Sequence, residues 1–209
     1  MADPKVSGRP VVVQRRRIER VKAILDAAEA ILAEQGYEAA TLRAIGERAG
    51  IPTASVYHYF GDRLAVETEL LQRHLAALRG QIITRLRERG RRTVRDVVDA
   101  VIDPLLTYGR GNPSFVELWR ERAGTLVELG REFDESLSER TWRALIERDL
   151  IGVDTPLLAV QLAFEVGDRL FDVAFTRSPG GDETAMDEGR RIITAYLETY
   201  APPAPASGD

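Results

Sequence analysis

Apolar residues recur at intervals of three and four along almost the whole chain, the spacing that lines one face of an α-helix. Ile18, Val21, Ile24, Leu25, Ala28, Ile31 and Leu32 predict a first helix that stops at Gly36. Thr41 is placed to cap a second helix with Leu42, Ile45 and Ala49 inward, and Gly50 ends it. Pro52 suits the first turn of a third helix, Thr53 to Phe60, because its missing N–H costs nothing there. Gly61 ends that helix and Asp62 caps a long fourth, carrying Leu64, Leu70, Leu71, Leu75, Leu78, Ile82 and Leu86. Thr93 to Tyr108 reads as a helix kinked at Pro104, followed by a turn through Gly109, Gly111, Asn112 and Pro113. Two or three helices cover Pro113 to Leu150, and Gly152 to Pro156 is a turn. Thr155 is read as the cap of a helix to about Arg177, broken by Ser178-Pro179-Gly180-Gly181 before a last helix from about Asp182 to Tyr200. No period-2 run is long enough to need a sheet, so the class is all-α with about nine helices.

The same pattern divides the chain. Residues 1–14 carry Pro4, Gly8 and Pro10 with little periodicity and read as a flexible arm. Residues 15–62 form a small helix-turn-helix domain, residues 63–200 a larger helical domain, and the Pro- and Ala-rich residues 201–209 a disordered tail. The helix after Thr155 is apolar on two faces: Val160, Phe164, Gly167, Phe171 and Ala174 on one, Leu162, Val166, Leu170 and Val173 on the other. Such a helix is buried on two sides.

Composition narrows the chemistry. The absence of cysteine excludes disulfides, thiolate metal sites and Cys nucleophiles, and two histidines leave little for metal binding or His-dependent catalysis. No apolar run reaches membrane-span length and no secretory signal is present, so a cytoplasmic chain with no membrane partner is expected. The net charge of −4 hides an asymmetry: residues 1–95 hold 18 Lys/Arg against 11 Asp/Glu, a surplus of +7, and the rest is acidic. A basic front is what a phosphate-binding end requires. Acidic neighbours such as Asp134-Glu135 and Asp187-Glu188 point about 100° apart on a helix and read as solvated charges, not a general acid/base pair. With no phosphate loop, nucleophile elbow or metal-ligand spacing, an enzyme is not expected, and neither a cofactor nor a metal.

The informative stretch is residues 41–60, TLRAIGERAGIPTASVYHYF. Two short helices meet at a tight glycine turn, where Ala49 and Gly50 are expected to allow close crossing. Ile45, Ile51, Val56 and Phe60 make the small core, leaving Arg43, Thr53, Ala54, Ser55, Tyr57 and His58 outward. The segment resembles the TetR-like (tetracycline-repressor) family of bacterial regulators. Thr41, Ile45, Ala49-Gly50-Ile51 and Val56-Tyr57-His58-Tyr59-Phe60 fit its pattern, as do Ala33-Glu34-Gln35-Gly36-Tyr37 upstream and Gly61-Asp62-Arg63-Leu64-Ala65 downstream. The likeness covers roughly residues 18–70. Pro52 and Ala54 depart from the Ser and Gly that are frequent at those places.

The resemblance implies a transcriptional regulator, most naturally a repressor, that binds double-stranded DNA at a near-palindromic operator as a homodimer and answers to an unknown small-molecule effector. It places Arg43 on a base edge, Thr53 toward bases, Thr41 and Ser55 on phosphates, Tyr57 on phosphate or sugar, and Arg63 on a phosphate. Ala54 meets a thymine methyl or merely avoids a clash. His58 either touches DNA or packs, Tyr59 divides the same way, and Phe60 reads as core. Arg15, Arg16 and Arg17, with Arg20 and Lys22, form either a DNA-tracking arm or a solvated face. A second cluster, Arg85, Arg87, Arg89, Arg91, Arg92 and Arg95, is either a surface complementing a helix end or an anionic-ligand or partner surface. The resemblance further implies an effector cavity, drawn from Tyr108, Phe115, Trp119, Phe133, Phe164, Asp168 and Phe171, with Glu117 and Glu165 as other polar anchors. The aromatic members read equally as plain core. The last two helices are to pair with a second copy through Leu162, Val166, Leu170, Val173, Ile193, Tyr196 and Leu197. A constitutive DNA-binding or scaffolding protein that senses nothing is the remaining alternative.

Overall fold

A computed structural model describes residues 9–88, 90, 92–121 and 123–203, with backbone alone over 9–13. Among these residues every regular element is helical. The α-helices are α1 (Arg9–Gln35), α2 (Leu42–Ala49), α3 (Thr53–Tyr59), α4 (Arg63–Arg87), α5 (Val94–Gly111), α6 (Pro113–Arg120), α7 (Thr125–Ile146), α8 (Leu157–Arg177) and α9 (Glu183–Glu198), with a 3₁₀ turn at Tyr37–Ala39. The expected arm is shortened, because α1 already runs from Arg9. Its first eight residues, and the tail from residue 204, lie outside the described residues. The chain divides into two compact units after Leu70, inside α4, and not at the expected boundary of 62.

In the first unit local chemistry sets each helix end. Gly36, at φ 80°, takes the chain out of α1. The Thr41 hydroxyl accepts the Ala44 N–H at 3.2 Å to cap α2, and Gly50 leaves it at φ 65°, a left-handed conformation that favours glycine. Pro52 stands at the cap of α3, one place ahead of the expected first turn, and supplies no side-chain bond. Asp62 caps α4 by accepting the Ala65 N–H at 2.8 Å. Ile24, Leu25, Ile31, Leu32, Ile45, Val56, Phe60 and Val66 fill the core. Ile18, expected among the inward residues of α1, is instead 62% exposed.

In the second unit a capping box between Thr93 and Asp96 starts α5. Pro104 sits inside this helix, which continues to Gly111, so the expected turn begins only at Asn112. Gly109 lies within this helix, where the missing side chain lets Phe175 of α8 approach: a Cβ there would lie 2.7 Å from Phe175 Cζ. Two helices, α6 and α7, cover the stretch for which two or three were expected. The cap of α8 is Pro156, not Thr155, whose buried carbonyl accepts the Trp142 indole N–H at 2.9 Å. Asp182 caps α9 through the Ala185 N–H. Arg190 ties α9 to α5, reaching Asp99 at 3.1 Å and Asp103 at 2.7 Å.

Candidate nucleic-acid interface and effector cavity

Within the first unit α2 and α3 cross at Gly46, not at the expected Ala49 and Gly50. A Cβ on Gly46 would stand 2.8 Å from the Ile51 carbonyl oxygen and 3.2 Å from Val56 Cγ2. Gly50 has open space around it and provides the left-handed turn instead. With Ile45, Val56 and Phe60 buried, α3 turns a polar surface outward. Ala54, Tyr57 and His58 are exposed, Tyr57 to 55%, and Thr53, Ser55 and Tyr59 are half-buried. Thr41 and Arg43 are exposed on α2. Arg43 lies along its own helix, 2.8 Å from Glu47, a pairing that holds its proton more firmly than usual. Arg15, Arg16 and Arg17 are exposed on α1, with Arg15 3.0 Å from Glu19.

Arg63 does not stand free for a phosphate in this structure. Its Nε donates to Glu67 at 2.6 Å and its Nη2 to the Tyr37 carbonyl at 2.6 Å, while the guanidinium lies 4.0 Å from the centre of the Tyr37 ring. Glu67, only 4% exposed, also accepts the Tyr37 hydroxyl at 3.2 Å. This cluster locks the start of α4 to the 3₁₀ turn. A second tie was equally unforeseen: Arg48 grips Glu34 through two bonds of 2.6 Å, joining α2 to α1 and lowering the carboxyl pKa of Glu34. Arg63–Glu67 has the i,i+4 spacing that could have flagged it. Arg48–Glu34 has no such signature.

The second unit holds a partly open cavity of about 70 Å³ whose wall draws on α4 to α9. Four of the seven expected pocket residues line it: Trp119, Phe133, Phe164 and Asp168. Tyr108, Phe115 and Phe171 do not. Phe115 and Phe171 are wholly buried, 6.1 Å apart, in an aromatic cluster with Tyr108. There Tyr108 bonds His74 Nδ1 at 2.9 Å, and Ser114 meets the other ring nitrogen at 3.3 Å. Burial pushes the pKa of His74 down to about 4. Among the expected anchors Asp168 alone reaches the cavity wall, where it accepts the Trp119 indole N–H at 2.6 Å. Asp134, expected in solvent, also lines it. So does Thr141, whose buried hydroxyl makes no hydrogen bond among the described residues.

The outer face of α8 leaves Leu158, Leu162 and Val166 exposed, and α9 adds Ile192. Leu170, Val173 and Tyr196 are half-buried. Ile193 and Leu197, expected at an interface between subunits, are buried and face the cavity. A helix advances 100° per residue, so Ile192 takes the outward place intended for Ile193.

Comparison with known proteins bears on both units. Residues 24–66 match the family described as bacterial regulatory proteins, tetR family, and residues 93–197 match the tetracyclin repressor-like C-terminal domain. The HTH-type transcriptional repressor KstR2 of Mycobacterium tuberculosis is 34% identical over 190 residues, covering 83% of this chain and 89% of that protein. KstR2 of Rhodococcus jostii is 27% identical, covering 86% and 90%. A TetR-family transcriptional regulator from Streptomyces coelicolor, solved as a crystal structure, superposes with a TM-score of 0.67 at 33% identity, covering 88% of this chain and 98% of its own.

Proposed function

Because this chain belongs to the TetR family of bacterial transcriptional regulators, we propose that it acts as a repressor whose DNA contacts come from α2 and α3 and whose release follows entry of an apolar ligand into the cavity. The observation that carries the DNA half is the polar, exposed surface of α3 above a fully packed core. Tyr57 is half exposed although it sits next to the wholly buried Val56. An aromatic side chain kept in water beside Ala54 and His58 suits a base edge and its flanking phosphate better than it suits folding. We assign Arg43 to a base edge, and Thr41, Ser55 and Tyr57 to the backbone. Arg63 is reassigned to holding α4 in place.

The ligand half rests on the cavity wall. It is lined mainly by aliphatic and aromatic side chains, with the Thr141 hydroxyl unpaired and Asp168 already engaged by Trp119. An apolar or aromatic molecule carrying one hydrogen-bond acceptor for Thr141 matches that lining. A dry cavity of about 150 Å³ is enough for benzene. The present space of about 70 Å³ is smaller, so such a ligand must push the wall apart on entry. Ile82 belongs to that wall and to α4, the helix whose first turns lie in the DNA-binding unit. A displaced α4 is therefore the route by which the ligand weakens operator binding.

Titration of a near-palindromic duplex tests the reading. Affinity should fall steeply with salt as phosphate contacts release counterions. Arg43→Ala should relax the preference at one base pair by about 1–3 kcal/mol. Binding that ignores salt, or an Arg43→Ala variant weakened alike on every sequence, overturns the assignment.

A further inference from the structure

A groove of about 370 Å³ in the second unit is bordered by four arginines, Arg87 at the end of α4 and Arg140, Arg143 and Arg148 on and just beyond α7. One carboxylate, Glu147, shares the border. Arg143 pairs with Glu139 along its own helix. Arg148 is half-buried and donates to the Leu86 and Ala144 carbonyls at 2.8 and 2.7 Å, which fixes its guanidinium and bridges the ends of α4 and α7. Arg87 and Arg140 engage no carboxylate among the described residues. Even with Glu139 counted beside Glu147, the four guanidiniums leave two positive charges unmatched.

Helix-end electrostatics account for part of this cluster. Arg87 is in the last turn of α4, and Arg148 satisfies carbonyls left open at two helix ends. Arg140 has no such role, since it lies six residues before the end of α7, beyond the reach of the terminal dipole. It stands three residues before Arg143 on the same helix, a like-charge spacing that mildly destabilises a helix and that a bound anion would relieve. A single carboxylate offers two oxygens and one charge. A phosphate group offers three oxygens and about two charges, and guanidinium forks match it bidentately.

We propose that this groove is a second ligand site, distinct from the apolar cavity, that takes a diphosphate or a similar phosphate-bearing group. Arg148 supplies a fixed donor fork, and Arg87 and Arg140 close on the anion from α4 and α7. The site does not depend on the effector reading above. Its anion is either a free phosphate compound or the head of an amphipathic ligand.

Calorimetric titration of the full chain with inorganic pyrophosphate and with dodecyl phosphate tests the proposal, with dodecanol as the neutral counterpart. The double variant Arg87→Ala/Arg140→Ala should weaken both phosphates by about tenfold or more, two charge-assisted contacts being lost. Arg131→Ala, which removes a charge from the same helix at a place already matched by Glu128 and Glu135, should leave them unchanged. Thermal unfolding checks that both variants fold. Much tighter binding of dodecyl phosphate than of pyrophosphate identifies an amphipathic head, and equal binding identifies a free phosphate compound. Three results overturn the site: neither phosphate binds, Arg131→Ala weakens them as much, or the double variant shows a reduced salt slope for DNA, which makes the anion the DNA backbone.

Discussion

The two units use their apolar residues in opposite ways. In the DNA-binding unit α2 and α3 meet so tightly that Gly46 has no room for a methyl group, and the side chains proposed to meet DNA are polar and outside. The second unit keeps an unfilled space at its centre and leaves Leu162, Val166 and Ile192 in solvent. A region that must present fixed donors at a fixed spacing profits from having no slack. A region proposed to yield to a ligand and to join a second copy profits from slack inside and apolar surface left outside.

The contrast is broken most severely on the outer face. Val166→Glu or Ile192→Glu should leave the fold intact, since both side chains are already exposed, yet give monomers. Operator affinity should then drop by about a hundredfold or more, because the second contact ceases to be intramolecular. Light scattering run beside a DNA titration reads both effects. Ile193→Glu should differ in kind: it puts a charge into the cavity wall and should unfold the second unit instead of merely separating subunits.

A milder break acts inside the first unit. Arg63→Ala strands Glu67, which is 4% exposed, with only the Tyr37 hydroxyl as a partner. The loss should be about 3 kcal/mol in chemical denaturation. Its salt slope for DNA should match that of the unaltered chain; a slope flatter by about one unit would return Arg63 to the phosphate backbone.

The smallest effect sharpens the description of the second unit. His74 is held near pKa 4 in the folded state by burial, against 6.5 in the open chain. The unfolded chain therefore binds more protons between those values, and stability is complete above pH 6.5 and lost as pH falls toward 4. Between neutral pH and pH 5 the loss should be about 2 kcal/mol, and His74→Gln should abolish that portion. Denaturant titrations at the two pH values measure it.

What was legible in the sequence follows the same division. The helix ends of the first unit are set by short-range signals. Thr41 with Ala44, Gly50, and Asp62 with Ala65 each act over three residues or fewer, so caps and turns were read nearly in place. The family likeness rests on this stretch, and the comparisons bear it out. The second unit is assembled from partners far apart in the chain. Trp119 meets Asp168 across 49 residues and His74 meets Ser114 across 40, contacts that no spacing rule reports. Aromatic residues alone could not separate the cavity wall, with Trp119, Phe133 and Phe164, from the solid cluster of Tyr108, Phe115 and Phe171. Three-and-four periodicity identified the two-faced α8 but was too coarse to tell Ile192 from Ile193 on α9. Gly109 and Thr155 misled for one reason. Each looked like a local stop or cap, and each has its place set by a residue elsewhere, Phe175 and Trp142.

Two glycines of the cavity wall differ in what they permit. A methyl on Gly189 would stand 2.8 Å from Leu170 Cδ1, so that position is closed to change unless Leu170 gives way. A methyl on Gly167 would find its nearest neighbour, Ile193 Cδ1, at 3.6 Å, an ordinary contact. Alanine also favours a helix over glycine by about 1 kcal/mol. One methyl at Gly167 occupies part of a space of only about 70 Å³, at no expense to α8. If the cavity takes the ligand as proposed, ligand size can drift in evolution by a single nucleotide change at one codon, while the proposed DNA-reading surface stays as it is.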